Sequence, residues 1–301
     1  MKLVYYSLAN SPDARLERQW IQSIRSLRQY NGQVAVALLL YNGASTALYE
    51  ECSRFGVTVY PMGSYKESLA RLYVQGCSLA VLPTFHKFLA LDHTSLYQVS
   101  QLLYVDCDTW FFGDVDILFE RYRDADWYAR EEPSSRLSKY GADPRHIDEE
   151  ALASLAQSVG ARSVPPFNTG VCLMNHGIWQ QLDKLRVTYL DLAWRLLCGT
   201  QLGVGQRVAD DPEMRSSVLS ALTSTDRFRA LPYPSTNIWI IDEIALWLAL
   251  GRLAHFSLGI MSQTDLAQGG EFAEGAGRSV LAHYFSTQEE QFFRVVPRLS
   301  R

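Results

Sequence analysis

The sequence predicts an α/β fold with a mostly parallel central sheet flanked by helices. Three observations carry that prediction. Short apolar strands alternate with amphipathic helices through the first sixty or so residues. No tandem repeat or Gly/Ser linker divides the chain, and an apolar strand beyond residue 100 runs straight into Asp106-Cys107-Asp108. A βαβαβ order implies right-handed crossovers and sends ligands to the carboxyl ends of the strands. At 301 residues the chain reads as a single domain, 1–301.

Leu3–Leu8 reads as a buried strand. Pro12–Gln29 reads as a helix, because Leu16, Trp20, Ile24 and Leu27 recur at the helical period, with Pro12 at the first position and Ser11 as its cap. Val34–Tyr41 is a second strand, closed by Asn42-Gly43. A helix over Thr46–Phe55 stops at Gly56, and Val57–Tyr60 is the third strand. A further helix opens at Pro83, and Gln101–Val105 is a strand. Residues 130–166 are polar, with a short helix near Asp148–Val159, and read as a lid-like excursion that orders over bound ligand. Phe167–Asn175 returns as a strand, 185–198 and 212–223 are helical, a helix starts near Asp242, and Val280–Phe285 is the last strand.

Composition narrows the function classes. Lys and Arg total 28 against 32 Asp and Glu, a net charge of −4, so no global basic field points to nucleic acid. The longest apolar run, Val34–Tyr41, is too short to span a bilayer, so no transmembrane segment is expected. The N-terminus turns polar before a signal-peptide core could form. Five cysteines without paired short spacing fit neither a disulfide framework nor a zinc site. A cytoplasmic protein is the expectation.

Asp106-Cys107-Asp108 is the sharpest chemical feature. On an extended chain alternate side chains share a face, so both carboxylates point one way and Cys107 the other. Two close carboxylates repel unless a cation lies between them, and their hard oxygens suit Mg²⁺ or Mn²⁺. Loss of either carboxylate should then relieve repulsion in the metal-free protein. The alternative is a plain polar turn at a strand end. Phe167-Asn168-Thr169-Gly170 is the second feature. Asn168 there is suited either to sugar hydroxyls or to its own backbone, and Gly170 lets a ligand approach the chain closely.

Taken together, these segments resemble the GT-A glycosyltransferases, in particular the retaining glycogenin and lipopolysaccharide galactosyltransferase group, glycosyltransferase family 8. The resemblance rests on His86-Lys87-Phe88-Leu89-Ala90-Leu91, Leu103-Tyr104-Val105-Asp106-Cys107-Asp108-Thr109, Asp114-Val115 to Leu118, Phe167-Asn168-Thr169-Gly170 through Asn175, and Asp242-Glu243-Ile244-Ala245-Leu246. It implies a GT-A-like nucleotide-diphospho-sugar transferase fold and a nucleotide-sugar donor, a UDP-sugar first among them, held by Mn²⁺ or Mg²⁺. By position, Asp106 and Asp108 resemble the ligands of the metal and the ribose-phosphate. Lys87 resembles a basic donor contact, and Asn168 the donor-sugar contact. Asp242 and Glu243 fall where the family addresses sugar and acceptor. Tyr6 and Ser7 resemble the nucleotide-binding edge, with Asn10 beside them in place of the family's usual Asp.

Two histidines compete for a third metal position, in Leu253-Ala254-His255-Phe256 and Leu281-Ala282-His283-Tyr284; the family's order of motifs favours His283. Plain readings stand beside these: Lys87 as a solvated charge, Tyr6 as core, and Asp242-Glu243 as a complement to a helix dipole.

The function so implied is metal-dependent transfer of a sugar from a nucleotide diphosphate to an acceptor hydroxyl, with retention. The acceptor would be a saccharide, a lipid-linked glycan or a small molecule. Inversion would instead make Asp242 or Glu243 the general base. Two alternatives remain open. One is an inactive sugar-nucleotide-binding or scaffold protein of the same fold. The other is a sugar-1-phosphate nucleotidyltransferase, disfavoured because Leu8-Ala9-Asn10-Ser11-Pro12 holds no glycine-rich loop.

Overall fold

The computed structural model describes residues 1–9, 14–63, 99–131, 147–162, 166–179, 181–199, 231–235, 240–268 and 279–284. Strands β1 (Lys2–Ala9), β2 (Ala35–Tyr41), β3 (Val57–Gly63) and β4 (Gln101–Val105) are parallel to one another. Strands β6 (Trp127–Glu131), β7 (Phe167–Asn175) and β8 (Leu258–Ile260) complete a seven-stranded sheet, in the order β3-β2-β1-β4-β7-β6-β8. Among the described strands of this sheet, β7 alone is reversed. It pairs antiparallel with β4 and β6, while β6 and β8 run parallel. A second sheet, in the order β5-β10-β9, joins β5 (Thr109–Phe111), β9 (Leu266–Gln268) and β10 (Leu281–His283).

Alternation along the strands separates two cores. From β1, Val4, Tyr6 and Leu8 face helix α1 (Arg15–Tyr30), whose Trp20, Ile24 and Leu27 meet them. Leu3, Tyr5 and Ala9 face the opposite way. That second layer holds helices α4 (Glu149–Ser158), α6 (Leu182–Gly199) and α7 (Ile241–Gly251). Helices α2 (Thr46–Arg54), α3 (Asp116–Arg121) and the small sheet lie on the α1 side, and α5 (His176–Trp179) follows β7. Among the described residues, no helix is long and apolar enough to cross a membrane.

Most elements lie where the hydrophobic pattern put them. Ser45 caps α2 by accepting from the Leu48 amide at 3.2 Å, and Gly56 ends that segment at φ +60°. Strand β7 has the bounds expected of it, with Asn168 and Thr169 inside it. Two differences stand out. Helix α1 opens at Arg15 because Ala14, expected inside it, holds a left-handed φ of 51° that no helix accepts; Ser11 and Pro12, expected to cap and open it, lie outside the described residues. Arg130, taken as the start of the polar excursion, is a buried residue of β6 that pairs with Asn168. Beyond residue 131 that excursion is described only at 147–162, where Asp148 caps α4, and at 166. The helices expected from Pro83 and over 212–223, and Phe285, lie outside the described residues.

Candidate metal and donor site

The reversal of β7 builds the site. In parallel strands the ligand-facing edge is the carboxyl end. An antiparallel strand brings its own beginning to that edge, so Asn168, Thr169 and Gly170 arrive beside the end of β4. Val105 pairs with Val171, and one step further the Asp106 amide donates to the Gly170 carbonyl at 2.7 Å.

The chain must then leave the large sheet for the small one. Asp106-Cys107-Asp108 therefore turns, with the Thr109 amide donating to the Asp106 carbonyl at 3.2 Å, instead of continuing extended. The segregation expected of the triplet survives the turn. Cys107 is buried against β1, its thiol 3.8 Å from the Ser7 carbonyl, while both carboxylates lie on the side of His283.

His283 ends β10, which the Tyr284 amide ties to the Asp108 carbonyl at 2.9 Å. Its Nε2 lies 3.5 Å from Asp106 Oδ2 and 3.3 Å from Asp108 Oδ1. One ligand atom from each of the three residues can be chosen so that all lie within 4.8 Å of one another. The ring is 4% exposed. Burial by itself favours the neutral imidazole, but the charges of Asp108 and Asp106 and their hydrogen bonds outweigh it and raise the His283 pKa to about 9. In the metal-free protein an imidazolium thus bridges the carboxylates. Tyr104 donates its hydroxyl to Asp106 Oδ1.

The donor set fits a divalent ion. Bonds of about 2.1 Å at right angles put neighbouring ligand atoms roughly 3 Å apart, close to the spacing these side chains already hold. Two carboxylates with one imidazole suit Mn²⁺ better than Mg²⁺, which favours oxygen alone. His255, the competing histidine, is exposed, and its carbonyl accepts from Gln181 at 2.7 Å.

A second cluster adjoins the first through Gly170. Asn168 divides its amide: Oδ1 accepts from the Gly170 amide at 2.8 Å and Nδ2 donates to Glu243 Oε1 at 3.1 Å. The Thr169 amide also reaches Glu243 Oε1, at 3.4 Å, and the Thr169 hydroxyl donates to Asp242 Oδ2 at 3.4 Å. Asp242 and Glu243 open α7 and are both buried, so they do more than complement a helix dipole. A carboxylate keeps its place in the interior only where donors meet it, and β7 supplies them.

Gly170 serves a different neighbour from the one its sequence suggested. A Cβ there would lie 2.0 Å from His283 Cε1, so the chain's own imidazole makes the close approach assigned to a ligand. Tyr6 lies in the core, edge-on to Trp20, with its hydroxyl 2.9 Å from Ser23, and points away from the carboxylates. Ser7 is buried at the end of β1 beside Cys107. Asn10 and Lys87 lie outside the described residues. Sequence reasoning did not place Thr109, opposite His283, or Arg130, opposite Asn168, beside the site. A charge directly at the end of the short apolar run Trp127-Tyr128-Ala129 is the signal that would have found the second.

No protein-family model and no curated protein sequence matches the chain. Solved structures do. The bifunctional glycosyltransferase WbbM in its apo form superimposes with a TM-score of 0.58 at 11% identity, over 97% of this chain and 49% of that one. This chain therefore spans about half of WbbM. An active-site mutant of LgtC superimposes with a TM-score of 0.50 at 12% identity, over 99% of this chain and 96% of that one. Identities this low speak to architecture alone, and the architecture of this chain is the GT-A glycosyltransferase fold.

Proposed function

We propose that the protein is a metal-dependent glycosyltransferase that moves a sugar from a nucleotide diphosphate donor, a UDP-sugar first among candidates, to an acceptor hydroxyl. The observation that carries this reading is the convergence of Asp106, Asp108 and His283 at the carboxyl edge of the parallel strands, from segments far apart in sequence. These three residues would hold Mn²⁺. When bound, such an ion supplies positive charge against the charge that grows on a leaving diphosphate.

The chain's own residues would do the rest. Asn168 is held at both ends of its amide, so it meets the donor sugar in one orientation and without an entropic cost at binding. Glu243 is already engaged by Asn168 and the Thr169 amide, which supports a role in positioning Asn168. Asp242 addresses the sugar or acceptor from the same helix turn. The course is retaining: the acceptor hydroxyl attacks from the face of the leaving group, and the departing phosphate oxygen takes its proton. Ser7, Asn10 and Lys87 remain the proposed nucleotide contacts. The acceptor is a saccharide, a lipid-linked glycan or a small molecule, and the setting is cytoplasmic.

A thermal-shift screen of UDP-, GDP-, CMP- and dTDP-sugars, with and without Mn²⁺, tests the reading, because a ligand that binds only the native state raises apparent stability. One sugar nucleotide should stabilise the protein only with Mn²⁺ present and should then be turned over. Stabilisation without transfer across a broad acceptor panel would make the protein a sugar-nucleotide binder. No stabilisation by any donor would sink the proposal.

A further inference from the structure

The His283 ring has two nitrogens, and only one faces the carboxylates. Nε2 is the atom 3.5 Å and 3.3 Å from Asp106 and Asp108. A neutral imidazole that offers Nε2 to a cation must carry its proton on Nδ1, which then needs an acceptor. Metal-binding histidines almost always donate that second N–H to a nearby oxygen, and the partner fixes the ring's tautomer and direction.

The register of the small sheet identifies a partner. β10 and β5 are antiparallel, with His283 opposite Thr109. The Tyr284 amide bonds the Asp108 carbonyl at 2.9 Å, and the Phe112 amide bonds the Val280 carbonyl at 2.8 Å. Hydrogen-bonded and non-hydrogen-bonded pairs alternate along such a ladder. The bonds therefore fall at the 284–108 and 280–112 positions, and His283–Thr109 is a non-hydrogen-bonded pair. Residues in such pairs have Cα atoms only about 4.5 Å apart, with side chains on one face at their closest approach.

Thr109 is 0% exposed, and its Oγ1 has no hydrogen-bond partner among the described residues. An unsatisfied buried hydroxyl is costly, so its persistence in the pair with His283 asks for a use. Gly170 closes against the His283 ring and leaves it little freedom to turn away.

We infer that Thr109 is the positioning residue of the metal site, its hydroxyl accepting from Nδ1–H of His283 while Nε2 faces the cation. The inference rests on the metal reading of Asp106, Asp108 and His283. Thr109 touches neither the cation nor the substrate. It acts through the direction of the ring.

Mn²⁺ titration followed by electron paramagnetic resonance of the free ion tests this without any sugar donor. Thr109→Val keeps the shape of the side chain and removes the hydroxyl, and Thr109→Ser keeps the hydroxyl. Val should weaken Mn²⁺ binding about tenfold, and Ser should stay within about threefold of wild type. Without metal, the serine variant should melt near wild type and the valine variant no more than a few degrees below it. Thr109→Ala repeats the deletion with less bulk and should give the same loss, which covers a valine variant that packs badly. Gln268→Leu is the control, because Gln268 flanks His283 on the other side, on β9. Wild-type Mn²⁺ affinity in the valine and alanine variants, a serine variant as weak as the valine one, or a loss confined to Gln268→Leu would each overturn the assignment. A wild-type protein that takes up no Mn²⁺ would overturn the metal reading itself and this inference with it.

Discussion

Gly170 is the seat of the His283 imidazole: a Cβ at position 170 would lie 2.0 Å from Cε1 and 2.3 Å from Nε2 of that ring. One residue lies near the start of the reversed strand of the large sheet, and the other closes the last described strand of the small one. Their contact sets how far the histidine enters the carboxylate pair. Real Cβ atoms do not approach ring atoms so closely, so a side chain at 170 must push the imidazole away.

Gly170→Ala should therefore uncouple His283 from Asp106 and Asp108. Overpacking at a buried site costs about 1–3 kcal/mol, so the protein should still fold. Mn²⁺ affinity should fall at least tenfold by calorimetric titration. Unchanged affinity would show that the ring does not rest on Gly170.

Metal-free stability should depend on pH through His283. A pKa raised from 6.5 to about 9 by neighbouring carboxylates corresponds to roughly 3 kcal/mol. That contribution is present in full below about pH 6.5 and is lost as the pH rises through about 9. A cation must displace the same proton, so Mn²⁺ affinity should rise with pH over the same window. Melting temperatures of wild type and His283→Ala across this range, with and without Mn²⁺, check both statements. Parallel curves for the two proteins would contradict them.

Asp108→Ala should destabilise the metal-free protein at pH 6, by a few degrees in melting temperature, in contrast to the relief of repulsion expected from two carboxylates alone. The imidazolium between them changes the sign: removing one acid takes a partner from a buried cation. Transfer should be abolished as well. A variant that melts above wild type at pH 6 would mean that repulsion dominates.

Asn168 and Glu243 should act as a unit. Each single alanine variant leaves the other partner buried without its hydrogen bond, so the double variant should lose less than the sum. A coupling of about 1–2 kcal/mol is expected in kcat/KM for transfer. Strict additivity would separate Glu243 from the positioning of Asn168.

His255→Ala should leave Mn²⁺ affinity and transfer within about twofold of wild type, since an exposed side chain away from the carboxylates contributes little. His283→Ala should reduce both by at least tenfold. Equal losses from the two would undo the choice of histidine.

What the sequence by itself determined follows from local physics. Period-two and period-3.6 patterns are written in the side chains of each segment, so β1, β2, α1, α2 and β7 lie near their expected places. The Asp106-Cys107-Asp108 spacing and its position after a strand are also local, and they identified the carboxylates without coordinates. What only the tertiary structure decided depends on register and direction across segments distant in sequence. No local pattern states that β7 runs against its neighbours, yet that reversal brings Gly170 to Asp106. The pairing of β10 with β5 set Thr109 opposite His283 and closed Gly170 against the ring. The charge on His283 is likewise a property of the assembled site, because burial and two carboxylates act on it from separate strands, and only their balance fixes the proton.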